Sequence, residues 1–435
     1  MSDMKELLRM LGELDDQLVS CMRCGMCQAV CPIYAQTGRE SDVARGKIAL
    51  LEGLAHEMIK DPQGVQDKVT QCLLCGSCAA NCPSGVKALD IFLKARAILA
   101  GYMGLPTVKK LIFRGMLTKP GMFNRLLSMA SKFQGLFTSP VNDVIGSSCS
   151  RFLEPVLGER HLMLLAKTPL HKEVPSLDTP AGASGLKVAF FPGCMADKIF
   201  PRIALASLKV LKHHGVGVFL PEGQACCGIP ALSSGDRESY EKLVRLNLAA
   251  FAKGKYDYLV TPCATCTSTM KKIWPMMAKG MSEQDQRAIA ELSAKVMDVN
   301  AFVVDKLGLA APEPNADAVS VTMHDPCHLK KSLGVSAQPR TVVAMNQHYK
   351  LTEMAGCDSC CGCGGSFTLT HANLSTKIGQ QKRDNIKNSG AQVVATGCPA
   401  CMMQISDMLS RNGDRISVKH PMEIYAEGLP ASPQG

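Results

Sequence analysis

The sequence predicts a multidomain chain, with an N-terminal, mostly helical domain built around cysteines followed by two repeated α/β domains. Three observations lead there. Two runs of the form Cys-x-x-Cys-x-x-Cys-x-x-x-Cys-Pro stand near the start, at Cys21–Pro32 and Cys72–Pro83. Farther on, one five-cysteine array occurs twice. Each copy has a lone cysteine (Cys194, Cys327), a Cys-Cys-Gly turn (Cys226-Cys227-Gly228, Cys360-Cys361-Gly362) and a Cys-x-x-Cys (Cys263/Cys266, Cys398/Cys401). Short apolar runs alternate with helical patterns around both copies, as the strands and helices of a parallel sheet do.

A chain of 435 residues calls for about three domains. Its 21 cysteines stand at ligand-like spacings in a chain far too long to be a disulfide-stapled scaffold, so they point to metal rather than to disulfides. Met1 to Gln17 is polar and acidic, and no stretch approaches the ~18 apolar residues of a membrane span. A cytoplasmic protein is expected, at most peripheral at the inner face of the membrane. The net charge is +10, but the basic residues are spread out and only seven Tyr and one Trp are available for stacking. A nucleic-acid partner is therefore not expected, and the positive charge is read as balancing anionic metal clusters.

Residues 1–100 form the first expected domain. Leu7, Leu8, Leu11, Leu14 and Leu18 line one face of a helix over 4–19, and Val43, Ile48, Leu51 and Leu54 do so over 42–60. Leu89 to Leu99 continues as helix. Little of this region reads as strand, so the domain is expected to be α-helical. Its two cysteine runs are the bacterial ferredoxin signature, in which three cysteines hold one cluster and the fourth serves the other. That signature implies one 4Fe-4S cluster on Cys21, Cys24, Cys27 and Cys82, and a second on Cys72, Cys75, Cys78 and Cys31. Zinc is the alternative. It favours four ligands in two Cys-x-x-Cys pairs, whereas each run here has three close cysteines followed by Cys-Pro.

Residues 101–185 read as a basic helical connector and linker. From Ile91 through Asn142 there is no Asp or Glu, while Lys94, Arg96, Lys109, Lys110, Arg114, Lys119, Arg125 and Lys132 are interleaved with apolar residues. Pro106 and Pro120 are expected to cut the stretch into short helices. With no long helix showing a single apolar face, a packed linker or a contact with a partner protein is preferred to a membrane surface. Cys149, alone among serines, is read as structural, and 168–185, rich in Pro and Gly, as a flexible link.

Residues 186–310 and 311–435 form the repeat. Lys187–Phe191, Val216–Leu220 and Tyr256–Val260 read as strands in the first copy, Val319–Met323 and Gln392–Ala395 in the second. Helices are expected over 200–214, 236–253 and 371–388. The lone cysteines and the Cys-x-x-Cys pairs follow directly on strand ends, and the Cys-Cys-Gly turn of the first copy follows a strand as well. Open α/β sheets gather their sites at strand ends, and the Cys-Cys-Gly glycine relieves crowding there.

These arrays resemble the cysteine-rich CCG domains of heterodisulfide reductase. The whole chain resembles the iron–sulfur subunit of glycolate oxidase and its D-lactate dehydrogenase counterpart, and the membrane-anchoring electron carrier of anaerobic glycerol-3-phosphate dehydrogenase. The resemblance implies one or two further iron–sulfur clusters, of the non-cubane 4Fe-4S type. Cys194, Cys226, Cys227, Cys263 and Cys266 would hold one, and Cys327, Cys360, Cys361, Cys398 and Cys401 the other. Zinc or an empty site is the alternative in each array. Cys357 and Cys363 are additional to the pattern and are read as alternative ligands or redox thiols. No residue is assigned as catalytic. His324 and His328, flanking Cys327, are candidates for tuning the site by hydrogen bonds or for relaying protons.

No dinucleotide fingerprint follows any expected strand, so the chain has nothing with which to take hydride from an alcohol. The resemblance implies an electron-transfer subunit of a multi-subunit dehydrogenase for D-lactate or glycolate. FAD would sit on a partner subunit, and a quinone or another acceptor would take the electrons. A heterodisulfide-reductase-like thiol/disulfide oxidoreductase and the electron carrier of glycerol-3-phosphate dehydrogenase are the alternatives.

Overall fold

The computed structural model describes residues 4–150 and 159–430. The chain divides into two compact bodies. The first comprises Met1–Lys119 together with Cys227–Val244 and Gly362–Gly379, and the second comprises Pro120–Cys226, Arg245–Cys361 and Gln380–Gly435.

In the first body every element between Met4 and Leu117 is helical, the longest being Ala44–Ala55 and Ala88–Met103. The helix expected over 4–19 is two, Met4–Gly12 and Asp15–Leu18. Its leucine stripe nevertheless goes inside, with Leu7, Leu11, Leu14 and Leu18 all buried beside Ile48, Leu51 and Leu54. Pro62–Thr70 opens with Pro at its first position and with the Asp61 carboxylate accepting from the Gly64 N–H, a combination that satisfies the helix start.

Arg96 shows where one of the acid-free segment's cations goes. It is buried, and its guanidinium donates to the backbone carbonyls of Val69, Thr70, Cys72 (2.7 Å) and Ser233 (2.8 Å). A planar five-donor fork can satisfy four carbonyls where an ammonium cannot. Arg96→Leu should therefore leave several buried carbonyls without donors and destabilise the chain by about 3 kcal/mol or more, with Arg96→Lys recovering little of the loss. Denaturant unfolding checks this, and an unchanged midpoint in Arg96→Leu would refute it.

The second body begins with Pro120–Phe137, an 18-residue helix. The expectation of short helices fails here because Pro120 stands at the first position of the helix, where its missing N–H costs nothing. A small antiparallel sheet follows, in the order β1 (Thr138–Asn142), β2 (Ser147–Ser150) and β3 (His161–Met163). Its serine-rich strands have no apolar alternation to announce them. Polar contacts with the helix Pro399–Arg411 hold them: the His161 N–H donates to Asp407 Oδ1 (2.9 Å), and Ser147 pairs with Ser410 (2.6 Å). Cys149 lies on β2. The stretch read as a flexible link instead contains a helical turn, Leu170–Glu173, and a strand, β4 (Leu177–Asp178).

Two sheets carry the repeat. The first contains β4, β5 (Lys187–Phe190), β6 (Gly217–Leu220), β7 (Tyr258–Thr261) and β8 (Val296–Asp298), in the order β4-β6-β5-β7-β8. All its pairings are parallel except β4 with β6. The second contains β9 (Val319–Met323), β10 (Tyr349–Leu351), β11 (Val393–Ala395) and β12 (Ser417–Lys419), all parallel, in the order β10-β9-β11-β12. The order β6-β5-β7-β8 in the first is thus repeated in the second. The five strands expected from the sequence are present, while β8, β10 and β12, three residues each, are too short to show a pattern. Val321, Met323, Val343, Val393, Ala395 and Ile424 form a core of the second copy.

Candidate metal centres

In the first body the eight cysteines of the two runs line two cavities, each of about 400 Å³. One is lined by Cys21, Cys24, Cys27, Cys78 and Cys82, the other by Cys31, Cys72, Cys75 and Cys78. The turns that converge them need left-handed backbone at Arg23, Gly25, Leu74 and Gly76. At Gly25 a Cβ would also stand 2.9 Å from the Arg45 guanidinium. Backbone N–H groups point at sulfur: Tyr34 at Cys31 (3.5 Å), Leu74 at Cys72 (3.4 Å) and Val86 at Cys82 (3.4 Å). Burial pushes the Cys31 thiol up to about 11 and the Cys78 thiol well above its usual range, the neighbouring sulfurs adding to both. These thiols therefore give up their protons only to a metal. An all-sulfur donor set selects iron–sulfur groups or zinc, and each cavity is many times the ~30 Å³ share of a single water. The residues present fit a polynuclear iron–sulfur group.

In the second body the ends of β5 and β7 deliver Cys194 and the Cys263/Cys266 pair, and the ends of β9 and β11 deliver Cys327 and the Cys398/Cys401 pair. Cys263 and Cys398 take the same extended conformation, each capping a helix that carries its partner cysteine. The two Cys-x-x-Cys turns abut: the Ala264 N–H donates to the Gly397 carbonyl (3.0 Å), and Thr265 Oγ1 lies 3.5 Å from Cys398 Sγ. Cys263, Cys266, Cys360, Cys361, Cys398 and Cys401 are all buried. Cys361 Sγ is 3.4 Å from Cys401 Sγ. Cys263 and Cys401 hold the Cys398 thiol well below its usual range, whereas its hydrogen bond to Cys226, together with burial, pushes Cys194 well above it. Such splitting is what bare thiols sharing protons do at metal-ligand distances. Cys227 and Cys363 are buried and belong to the first body. Gly228 there has φ +93°, and a Cβ on it would stand 2.8 Å from the Tyr240 ring. Cys357 lies 3.6 Å from Asp325, whose carboxylate accepts from Arg340 at 2.8 Å. His328 Nδ1 is 3.2 Å from Thr265 Oγ1, at the junction of the repeats. His324 is buried next to Cys361 and Cys401.

Sequence reasoning missed two buried cations. Lys47, 1% exposed, stands near Cys31 and Cys72, and Lys382, 1% exposed, near Cys327, Cys360 and Cys361. Burial pulls both ammonium groups down while the sulfurs hold them up. Lys382 Nζ donates to the carbonyls of Gly356 (2.6 Å) and Cys357 (3.3 Å), and Lys47 Nζ to that of Asp42. The signal was there to read. Lys47 shares a helix face with Leu51 and Leu54, and Lys382 one with Ile378 and Ile386.

Comparison with known proteins agrees with this geometry. Residues 17–86 match the 4Fe-4S dicluster domain, and 188–271 and 321–406 each match the cysteine-rich domain. The chain is 29% identical over 442 residues to the probable glycolate oxidase iron-sulfur subunit of Bacillus subtilis, covering 98% of this chain and 97% of that one. It is 30% identical over 244 residues to lactate utilization protein A 1 of Bacillus anthracis, covering 56% of this chain and 99% of the relative. The chain belongs to the iron–sulfur family of these proteins. As a member of the glycolate oxidase iron–sulfur subunit family it is an iron–sulfur electron-transfer protein, joining a dicluster ferredoxin domain to two CCG domains. Another member, a subunit of the CoM/CoB fumarate reductase of Methanothermobacter marburgensis, is 33% identical over 229 residues, which are 53% of this chain and 43% of that one. The crystal structure of a hypothetical protein from Helicobacter pylori has the same fold, with a TM-score of 0.51 over 100% of this chain and 78% of that one at 11% identity.

Proposed function

We propose that this protein is the electron-transfer subunit of an FAD-dependent dehydrogenase of D-lactate or glycolate. It would take electrons from a flavin partner subunit and pass them to a quinone or another acceptor. The observation that carries this reading is the pair of cysteine-lined cavities in a chain related end to end to a glycolate oxidase iron–sulfur subunit. Residues 1–100 would act as an α-helical ferredoxin, and 186–310 and 311–435 as the two CCG domains. Cys21, Cys24, Cys27 and Cys82 would hold one 4Fe-4S cluster, and Cys72, Cys75, Cys78 and Cys31 the other. The two five-cysteine arrays would hold the further groups. Bound in these sites, iron–sulfur groups supply reversible one-electron transfer. The chain's own residues supply convergent thiols, N–H groups aimed at sulfur, and the buried cations Lys47 and Lys382 that offset negative charge. Anaerobic purification of the tagged chain from its native host tests the reading. A co-purifying flavoprotein that reduces quinone with D-lactate or glycolate supports it, and recovery without a flavoprotein refutes it.

The acceptor end is expected at a membrane surface. No helix among the described residues is long and apolar enough to cross a membrane. The helix Pro120–Phe137, however, packs through Phe123, Leu127, Ser128, Ser131 and Gln134, and leaves Met122, Leu126, Met129, Phe133, Leu136 and Phe137 in solvent. Gln134 exchanges hydrogen bonds with the Leu165 backbone (2.8 and 2.9 Å). The outward residues recur at i, i+4, i+7, i+11 and i+14, one continuous stripe. Arg125 and Lys132 flank it, in a segment without acids. An apolar stripe turned to water with cations at its edge fits an anionic lipid surface. Wild-type protein should float with vesicles containing anionic lipid, and Met129→Asp/Phe133→Asp should lose at least tenfold in binding while keeping its iron content. Equal flotation of the two proteins would refute the membrane assignment.

A further inference from the structure

His324 and Phe191 occupy the same place in the two copies of the repeat. Each lies three residues before its lone cysteine, Cys327 or Cys194. Each backbone N–H donates, at 2.9 Å, to the carbonyl three residues before the Cys-x-x-Cys, from His324 to Ala395 and from Phe191 to Val260. Both side chains are 0% exposed. Phe191 suits that position, packing at 6.1 Å against the Phe251 ring. Histidine in the same slot has two polar ring nitrogens, and neither makes a hydrogen bond. A buried, unpaired nitrogen costs about 1–3 kcal/mol, and such an orphan calls for an ion or water to complete it. The completing partner is indicated by the neighbours: a His324 ring nitrogen and the Sγ atoms of Cys361 and Cys401 all lie within 4.8 Å of one another.

We propose that His324 is a direct nitrogen ligand of the metal group held by the second array, so that the two arrays are chemically unequal. The inference rests on the reading of that array as a metal site. The first array, with Phe191 in the equivalent position, has only sulfur to offer from that side. The second offers imidazole nitrogen as well, and its thiol set is flanked by the buried cation Lys382, where the first copy's corresponding helix places the neutral Asn247, whose amide oxygen accepts from Ala225 N–H and whose NH₂ donates to the Cys226 carbonyl. Exchanging thiolate for neutral imidazole lowers the negative charge of the ligand shell, and in iron–sulfur centres that raises the reduction potential. The second array is then the electron-accepting member of the pair.

The test uses the full-length, anaerobically purified protein with 15N-labelled histidine. Pulsed EPR of the reduced protein should show a strongly coupled, directly bound 15N nucleus, and His324→Phe should lose it while His328→Phe keeps it. If the metal is zinc, X-ray absorption should show one nitrogen scatterer at about 2.0–2.1 Å among sulfurs at about 2.3 Å, lost in the same variant. The labelled wild-type protein needs no substitution, so a variant that misfolds leaves the measurement intact. A sulfur-only shell in the wild type, or a nitrogen signal that survives His324→Phe, overturns the inference and leaves the metal site standing. Metal content unchanged in Cys361→Ser/Cys401→Ser overturns the metal site itself, and the inference with it.

Discussion

Cys75→Ser should lose about one cluster's worth of iron and acid-labile sulfide and abolish acceptor-linked turnover, while a flavin partner still reduces an artificial dye. Cys75 lines the cavity that also exposes Cys31, Cys72 and Cys78, and its Sγ lies 3.4 Å from Ser77 Oγ. A serine hydroxyl there ionises far less readily than a thiol and is a poor soft ligand. The other cavity draws on Cys21, Cys24, Cys27 and Cys82, so Cys24→Ser should remove a comparable share of the iron. Because Cys78 borders both cavities, Cys78→Ser is the informative contrast. It should lose more iron than Cys75→Ser alone if the two groups depend on each other, and the same amount if it serves one of them. Iron and sulfide analysis with EPR reads the outcome, and full iron content in Cys75→Ser would refute the ligand assignment. Loss of dye reduction as well would show that the subunits fold only together.

Gly362→Ala should be the most damaging single-methyl substitution in the Cys-Cys-Gly turns. Gly362 has φ +86°, and a Cβ on it would stand 2.6 Å from the Ser375 carbonyl oxygen and 3.1 Å from the Gly379 nitrogen. Both are backbone atoms of the helix Ala372–Asn388 and cannot rotate away. The left-handed conformation alone costs about 1–2 kcal/mol for a residue with a Cβ, and forcing extra volume into a packed place about 1–3 kcal/mol. The helix also answers to this turn through Ser375 Oγ, which donates to the Gly362 carbonyl at 2.9 Å. Gly365 is the control. Its φ is +62°, but nothing lies within 4 Å of its added Cβ, so Gly365→Ala should cost only the conformational part. At about 2–4 °C per kcal/mol for domains of this size, the thermal midpoint of Gly362→Ala should fall by roughly 5–15 °C. Equal midpoints for the two variants would show that the close approach to Ser375 and Gly379 does not matter.

Much of this protein is legible along the chain because its chemistry is written in short-range spacing. Three cysteines separated by two residues each can only converge on something compact, and Pro32 and Pro83 close each run. Strands β5, β6, β7, β9 and β11 announce themselves as apolar runs ending at cysteines, and the doubled array foretells the doubled sheet order. The leucine stripe of residues 7–18 finds the core even though the helix breaks at Glu13–Leu14.

What escaped the chain order did so for one physical reason: it depends on which distant groups surround a residue. The strands around Cys149 are held by serine and aspartate partners some 250 residues away, in pairs such as Ser147 with Ser410 and His161 with Asp407, and no local pattern encodes such a pairing. Likewise, the direction in which an amphipathic helix faces is settled by its neighbours. Pro120–Phe137 has an apolar stripe readable from its sequence, and only packing turns that stripe outward, by seating the helix through Ser128, Ser131 and Gln134. Lys47 and Lys382 look like surface lysines until burial puts them beside sulfur. Spacing alone thus determined that the protein gathers thiols for metal and carries electrons. The abutment of the two Cys-x-x-Cys turns, and the unequal neighbours His324 and Phe191 at equivalent positions, exist only once the β9 and β11 ends are brought together. Close packing at a strand end surrounds a side chain with residues from elsewhere in the chain, and those residues set what it can bind.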